Sequence, residues 1–121
     1  MSEIHCDQGL SKVFELLGKR WTGVIIGVLL ERPARFAELS RAVPGITESV
    51  LSSRLGELQE ARLVQRQVLS GPPIASLYSL TPCGEGLRPA LEALGIWAQQ
   101  NLMPPDPHPT AARRARSSAG P

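Results

Sequence analysis

Short hydroxyl side chains cluster at the start of one predicted helix, where they can form hydrogen bonds without steric obstruction. Thr47 is placed to cap this helix and Glu48 suits its positive end, and the hydroxyls on the face that follows belong to Ser49, Ser52 and Ser53. Side chains of this type bond to the edges of DNA bases or to phosphate oxygens. The cluster therefore predicts a helix that contacts DNA, with solvated serines on an ordinary helix hairpin as the alternative.

Two helical segments separated by Pro44 and Gly45 carry this cluster. In the first segment, apolar residues recur at helical spacing at Phe36, Leu39 and Val43. In the second, the apolar stripe opposite the serines consists of Leu51, Leu55 and Leu58. Neither proline nor glycine supports the continuation of a helix, so the chain must turn between the segments. This order predicts a helix-turn-helix, whose second helix enters the major groove of DNA.

A β-hairpin is predicted directly after these helices. Residues 63–69 and 74–80 show the alternation typical of strands, and the sequence Ser-Gly-Pro-Pro at residues 70–73 favours a turn. A helix pair followed by a hairpin is the order of a winged helix, although a hairpin used only for packing fits the same pattern. We therefore predict a mainly α fold with a small β-hairpin wing, a winged helix-turn-helix.

The remaining segments complete one domain. A short helix is predicted to end at Gly18, and the core helix that follows has its apolar positions at Trp21, Val24, Ile25, Val28 and Leu29. The last helix follows Thr81 and reaches about Asn101, with a kink or a restart at Pro89. We expect an N-terminal arm over residues 1–8, a winged-helix and dimerisation domain over residues 9–102, and a disordered tail over residues 103–121.

Two apolar faces exceed what one domain of this size needs for its own core. The first helix carries Leu10 and Phe14, and the last helix carries a wide stripe with Leu87, Leu91, Leu94 and Trp97. Packing against the chain's own helices is one way to cover these faces. Their surplus favours the other way, in which a second copy of the chain covers them in a symmetric homodimer.

Four basic residues are candidates for contacts to DNA phosphates, namely Lys19, Arg20, Arg35 and Arg54. Each has an alternative: Arg35 can form a salt bridge to Glu38 or Glu31, Arg54 can be structural at the edge of the apolar stripe, and Lys19 and Arg20 can stack on the neighbouring aromatic ring or be solvated at the helix start. The formal net charge is +2, and the tail from residue 101 onward accounts for all of it with three arginines and one aspartate. Bulk positive charge is therefore a weak contribution to DNA binding.

The two cysteines, Cys6 and Cys83, are too few for a disulfide framework and have no zinc-like spacing. Cys6 lies in the predicted arm, where its oxidation would shift the dimer geometry, or where it serves only as a small apolar anchor. Neither an enzyme motif nor a metal or cofactor site is predicted. The apolar runs are shorter than a membrane span, so we expect a cytoplasmic protein with no membrane partner.

Between about residue 6 and residue 100, the sequence resembles the HxlR-type winged-helix regulators. The matching elements are Cys6, residues 18–21, 35–39, 45–46, 51–55, Leu58, residues 63–66, 72–73, 78–81 and Gly84. The resemblance implies a bacterial, dimeric transcription regulator of MarR-like architecture whose first and last helices form the dimer. Some members of the family respond to oxidants or electrophiles through a cysteine near the N-terminus, a position that Cys6 matches.

Three departures from the family pattern limit what the resemblance implies. Gly56 replaces a frequent basic residue, and Arg62 replaces the glycine that commonly ends the helix, so this helix end is expected to close differently. No lysine or arginine occurs between Arg66 and Arg88, which leaves wing contact with DNA open.

Three functions are compatible with these patterns. The leading one is a homodimeric, sequence-specific transcriptional regulator that binds a two-fold-related operator in double-stranded DNA and responds to an oxidant through Cys6. The second is a regulator that binds a small hydrophobic effector in the dimer cleft. The third is a winged-helix module that binds protein instead of DNA, which the neutral core and the uncharged wing favour.

Overall fold

The computed structural model describes residues 3–104 of the 121-residue chain. These residues form six helices and three strands in the order α1 (Gln8–Leu17), α2 (Thr22–Glu31), β1 (Ala34–Arg35), α3 (Phe36–Ala42), α4 (Glu48–Glu60), β2 (Val64–Leu69), β3 (Ala75–Leu80), α5 (Pro82–Glu85) and α6 (Arg88–Asn101). The predicted winged helix-turn-helix is confirmed. The chain divides into two compact units, and the second begins at Glu92 within α6.

The core of the first unit lies between α2, α3, α4 and the base of the sheet. The apolar stripe of α4 is almost completely buried, as predicted, and it packs with a larger set of buried residues that includes Ile25, Ile26, Leu29, Leu39, Val64, Tyr78 and Leu80. Burial of a side chain of this size contributes about 1.5–3 kcal/mol. The leucines that orient α4 therefore also hold the unit together.

The predicted inward face of α2 is partly wrong. Val24 is 52 % exposed, whereas Ile26 is fully buried, and Trp21 precedes the helix with a left-handed φ of 82°. Eight of the ten residues from Thr22 to Glu31 are apolar or glycine, and they lie on every side of the helix, so periodicity alone cannot select the buried face.

The turn between α3 and α4 follows the sequence prediction. Gly45 adopts a positive φ of 87°, which an L side chain rarely adopts. The Thr47 side chain then caps α4 by accepting a hydrogen bond from the Val50 N–H at 3.1 Å. The start of α4 is therefore defined by local residues.

The end of α4 does not close differently, so that expectation is wrong. Arg62 adopts the left-handed conformation usual for glycine, with φ of 62°. Its N–H donates to the Gln59 carbonyl and the Leu63 N–H donates to the Leu58 carbonyl, both at 3.0 Å, which is the Schellman pattern. The Thr81 hydroxyl donates to the Arg62 carbonyl oxygen at 2.7 Å and supports this conformation from outside the helix.

The sheet is antiparallel with the strand order β1-β3-β2. Strands β2 and β3 form the predicted wing, with Val64 opposite Leu80 at its base. Strand β1 was not predicted because it has only two residues, of which Ala34 pairs with Tyr78. Val68 and Ile74 near the tip are 58 % and 77 % exposed, so only the base of the wing joins the core.

The last helix restarts near Pro89, which confirms one of the two predicted outcomes. Helix α5 ends at Glu85, and Leu87 lies in the connection before α6 instead of on the predicted helical stripe. Pro89 is the second residue of α6, a position whose N–H has no partner within the helix, so the missing N–H of proline costs no hydrogen bond.

The N-terminal arm is one residue shorter than predicted, because α1 begins at Gln8 with Asp7 as its cap. Residues 1–2 and 105–121 lie outside the described residues, and these include all but the first two residues of the tail that was predicted to be disordered. Within residues 3–104, no helix is long and apolar enough to cross a membrane.

Candidate nucleic-acid interface

Helix α4 presents the predicted serines to solvent. Ser49, Ser52 and Ser53 are exposed, as are Thr47 and Glu48 at the start of the helix. The opposite face is the buried leucine stripe, so α4 cannot turn these serines inward without losing its packing. The short hydroxyl side chains can donate and accept hydrogen bonds, and the buried leucines hold their helix in place. This arrangement suits contact with the edges of DNA bases.

At the start of α3, the Arg35 guanidinium forms no ion pair with any residue that the structure describes. Among residues 3–104, Arg35 forms neither of the alternative salt bridges to Glu31 or Glu38. Glu38 instead binds Arg32, with 2.6 Å between Nη2 and Oε2, and accepts a bond from the Arg35 backbone N–H at 2.9 Å. The Arg35 side chain is exposed and remains available for a phosphate.

The Glu38 carboxylate stays ionised at the start of α3. The side-chain hydrogen bond from Arg32 and the bond from the Arg35 backbone lower its pKa to about 2. An ionised acid that accepts a bond from the N-cap backbone stabilises a helix start. Glu38 therefore anchors the backbone that carries the Arg35 guanidinium.

Three of the predicted phosphate contacts are engaged within the protein. Lys19 forms an ion pair with Glu57 at 3.1 Å, and Arg54 forms another with the same carboxylate at 3.1 Å. The Arg54 Nε also donates to the Arg20 carbonyl oxygen at 3.2 Å, and the Arg20 guanidinium lies 4.5 Å from the centroid of the Trp21 ring. These basic side chains connect α4 to the loop before α2 and are less available to DNA than that of Arg35.

Sequence reasoning missed the role of Glu57. The available signal was its position three residues after Arg54, which places the two side chains on neighbouring turns of one helix. The contact with Lys19 spans 38 residues and had no sequence signal.

The wing supplies little positive charge. Arg66 is its single charged residue, and the Arg66 Nε donates to the Ser76 hydroxyl oxygen across the hairpin at 2.8 Å. The exposed tip is apolar. The serine face and Arg35 are therefore the parts of this surface best suited to DNA.

Both cysteines are free and exposed. Cys6 lies two residues before α1, next to the capping residue Asp7, whose carboxylate accepts a bond from the Leu10 N–H at 2.8 Å. Cys83 lies in α5. Each thiol is open to reaction with an oxidant in solution.

The predicted dimer-interface residues fall into two groups. Leu87 and Leu91 are half-buried and pack against the core of their own chain. Leu10 and Phe14 on α1 are 56 % and 55 % exposed. In the second unit, Leu94 and Trp97 of α6 are 53 % and 54 % exposed.

Family comparison agrees with this geometry. The model of the HxlR-like helix-turn-helix family matches residues 16–106, which covers the helix-turn-helix, the wing and α6. The chain belongs to this family. The HTH-type transcriptional regulator YodB of Bacillus subtilis strain 168 is a relative with 40 % identity over 97 residues, which span 80 % of this chain and 87 % of YodB.

Solved structures of similar proteins have the same fold. The reduced form of YodB matches with a TM-score of 0.70 and 39 % identity over 85 % of this chain and all of YodB, and the diamide-treated form matches with 0.65 and 38 % over 84 % and 100 %. The redox regulator HypR in its reduced form matches with 0.73 and 29 % identity over 77 % of this chain and 92 % of HypR. The winged helix is therefore the fold of this chain.

Proposed function

We propose that this chain is a sequence-specific DNA-binding transcriptional regulator that acts as a homodimer on a two-fold-related operator. The observation that carries the proposal is the exposed serine face of α4, held in a helix-turn-helix by a fully buried leucine stripe. Helix α4 would lie in the major groove with Ser49, Ser52 and Ser53 at base edges. Thr47 and Glu48 would lie at the groove entrance, and Arg35 would bind a phosphate.

Membership of a family that includes the transcriptional regulator YodB supports this function over a protein-binding module. The major groove is wide enough to admit an α-helix, and an acid such as Glu48 accepts a hydrogen bond from the amino group of cytosine. The exposed residues at the start of α4 therefore match the chemistry of base recognition.

The charge distribution predicts moderate salt dependence of DNA binding. Because Lys19 and Arg54 are paired with Glu57, two of the four candidate phosphate contacts already share a negative charge within the protein. We expect affinity for a selected duplex to fall as salt rises, but by less than about a thousandfold between about 50 and about 200 mM, the loss typical of six or more phosphate contacts. Gel retardation across this range measures the slope. Failure to retard any duplex at the lowest salt would favour the protein-binding module.

A homodimer would cover the apolar faces of α1 and of the second half of α6. Leu10 and Phe14 form the first face, Leu94 and Trp97 belong to the second, and all four are more than half exposed. Large apolar side chains grouped on helix faces mark association surfaces. Two copies related by a two-fold axis would present two α4 helices to successive major grooves about 34 Å apart.

We also propose that Cys6 makes the regulator sensitive to oxidants. Its support is the exposed thiol beside α1, together with the relative YodB, whose structures include a reduced and a diamide-treated form. Diamide takes two electrons and two protons from a pair of thiols, which leaves one disulfide and the reduced hydrazine. The second thiol would be Cys6 of another copy or Cys83. A disulfide beside the dimer helix would change the spacing of the two α4 helices.

Replacing Cys6 separates this response from general damage. We expect diamide to weaken DNA binding of the wild type by at least about tenfold, which is within the usual range of coupling between two sites. We expect Cys6→Ser to keep its affinity for DNA after the same treatment. Gel retardation before and after diamide measures the effect, with Cys83→Ser as the matched control. Equal loss in Cys6→Ser and wild type would exclude Cys6, whereas protection in both variants would identify Cys83 as the second thiol.

A further inference from the structure

Glu57 joins the second half of α4 to the loop between α1 and α2. Its Oε1 accepts a bond from Arg54 Nη1 at 3.1 Å, and its Oε2 accepts one from Lys19 Nζ at 3.1 Å. Arg54 in turn donates to the backbone carbonyl of Arg20 at 3.2 Å. One of these bonds ends on the backbone of the loop, so the network holds the loop itself against α4.

The loop is held closely at both of its ends. A Cβ on Gly18 would lie 2.3 Å from the Phe14 carbonyl oxygen, so α1 ends there with no room for a side chain. At the other end, Trp21 has a left-handed φ of 82°, and its ring lies so close to Gly45 that a Cβ there would be 3.6 Å from Cη2. The loop therefore contacts both α4 and the turn that precedes it.

The negative charge of Glu57 opposes a direct contact between this residue and DNA. Arg54 is the least exposed of the three side chains at 22 %, against 34 % for Glu57 and 53 % for Lys19. The carboxylate of Glu57 offsets one of the two positive charges that it binds and would itself repel phosphates. A contribution of Glu57 to DNA binding must therefore come through the position of α4.

We propose that Glu57, Arg54 and Lys19 are positioning residues that set the orientation of α4 relative to α1. The inference rests on the proposed function, in which α1 belongs to the dimer interface and α4 reads the operator. The dimer axis fixes the position of α1, so the angle between α1 and α4 fixes the distance between the two recognition helices. The network thereby determines which spacing of operator half-sites the dimer accepts.

The variant Glu57→Gln tests this role because positioning and electrostatics predict opposite changes in its affinity for DNA. The probe is a DNA duplex selected from a random-sequence library with the wild-type protein. Removal of an acid near DNA would tighten binding by electrostatics alone, whereas loss of the network is expected to weaken it by about tenfold. Glu15→Gln is the matched control, since Glu15 pairs with Lys12 on the exposed surface of α1 and makes the same change in charge. We expect that control to bind with unchanged affinity.

The accepted half-site spacing is a second readout that a loss of stability alone would not move. Selection from duplexes with spacers of graded length is expected to give a broader range of spacings for Glu57→Gln than for wild type. Equal or tighter binding with an unchanged spacing would overturn the proposal. Absence of any sequence preference in the wild type would instead contradict the proposed function.

Lys19→Met keeps the proposal testable if Glu57→Gln does not fold, with Lys12→Met as its control. A positioning role predicts relaxed spacing and an unchanged salt slope. If the variant instead lowers the slope of log affinity against log salt concentration by about 1, Lys19 is a phosphate contact and its assignment here is overturned.

Discussion

Ser52→Glu is expected to lower affinity for the selected duplex by at least about a hundredfold, since loss of good base contacts costs about 1–3 kcal/mol and the new acid repels phosphates. Ser52 lies on the exposed face of α4, opposite the buried leucines, so the change leaves the core intact. Fluorescence anisotropy with the labelled duplex measures the affinity, and thermal unfolding checks that the fold remains.

Ser11→Glu provides the matched control for this prediction. Ser11 is exposed on α1, so the substitution adds the same charge to a helix that does not enter DNA in the proposed complex, and size-exclusion chromatography checks that the variant remains a dimer. We expect it to retain most of the affinity. Unchanged binding by Ser52→Glu would overturn α4 as the recognition helix, and equal losses in both variants would indicate a response to net charge alone.

Gly84→Ala is expected to destabilise the fold by about 3 kcal/mol, because the new methyl group would overlap backbone atoms that cannot move aside. A Cβ at this position would lie 2.3 Å from the Leu63 carbonyl oxygen and 3.1 Å from a methyl group of Leu80. Thr81 links the same elements, since its hydroxyl oxygen accepts a bond from the Gly84 N–H at 3.1 Å. For a domain of about 100 residues, this loss lowers the melting temperature by about 12–24 °C.

Gly56→Ala is the control for the loss at Gly84. Gly56 lies within α4, and a Cβ there would meet no atom within 4 Å. We expect a gain of up to about 1 kcal/mol, since alanine favours a helix interior more than glycine does. Calorimetry on both variants measures the difference. A Gly84→Ala variant as stable as wild type would show that α5 does not pack tightly against the end of α4.

The elements that depend on local chemistry were predictable from the sequence. The break at Gly45, the cap at Thr47 and the inward leucines of α4 follow from backbone freedom, orphan amides and a 3.6-residue period. The wing followed from two alternating segments around a turn. These features require no information about residues far away in the chain.

Features that depend on distant neighbours were not predictable. The buried face of α2 is ambiguous in a sequence that is apolar on all sides, and the structure shows that Ile26 is buried and Val24 is not. Arg62 adopts a glycine-like conformation with its carbonyl bonded to Thr81, a contact across 19 residues. The spacing of apolar residues gives no information about contacts between distant residues, so the prediction for this helix end was wrong.

The sequence by itself determined that this protein presents a capped helix with exposed serines behind a Pro-Gly turn, because capping and amphipathic spacing act within a few residues. Only the tertiary structure decided which basic side chains are available to bind DNA phosphates. It pairs Lys19 and Arg54 with Glu57 and leaves Arg35 exposed, since Arg32 takes the Glu38 carboxylate. Ion pairs depend on distances of a few ångströms between side chains from separate elements, and these distances exist only after the chain has folded.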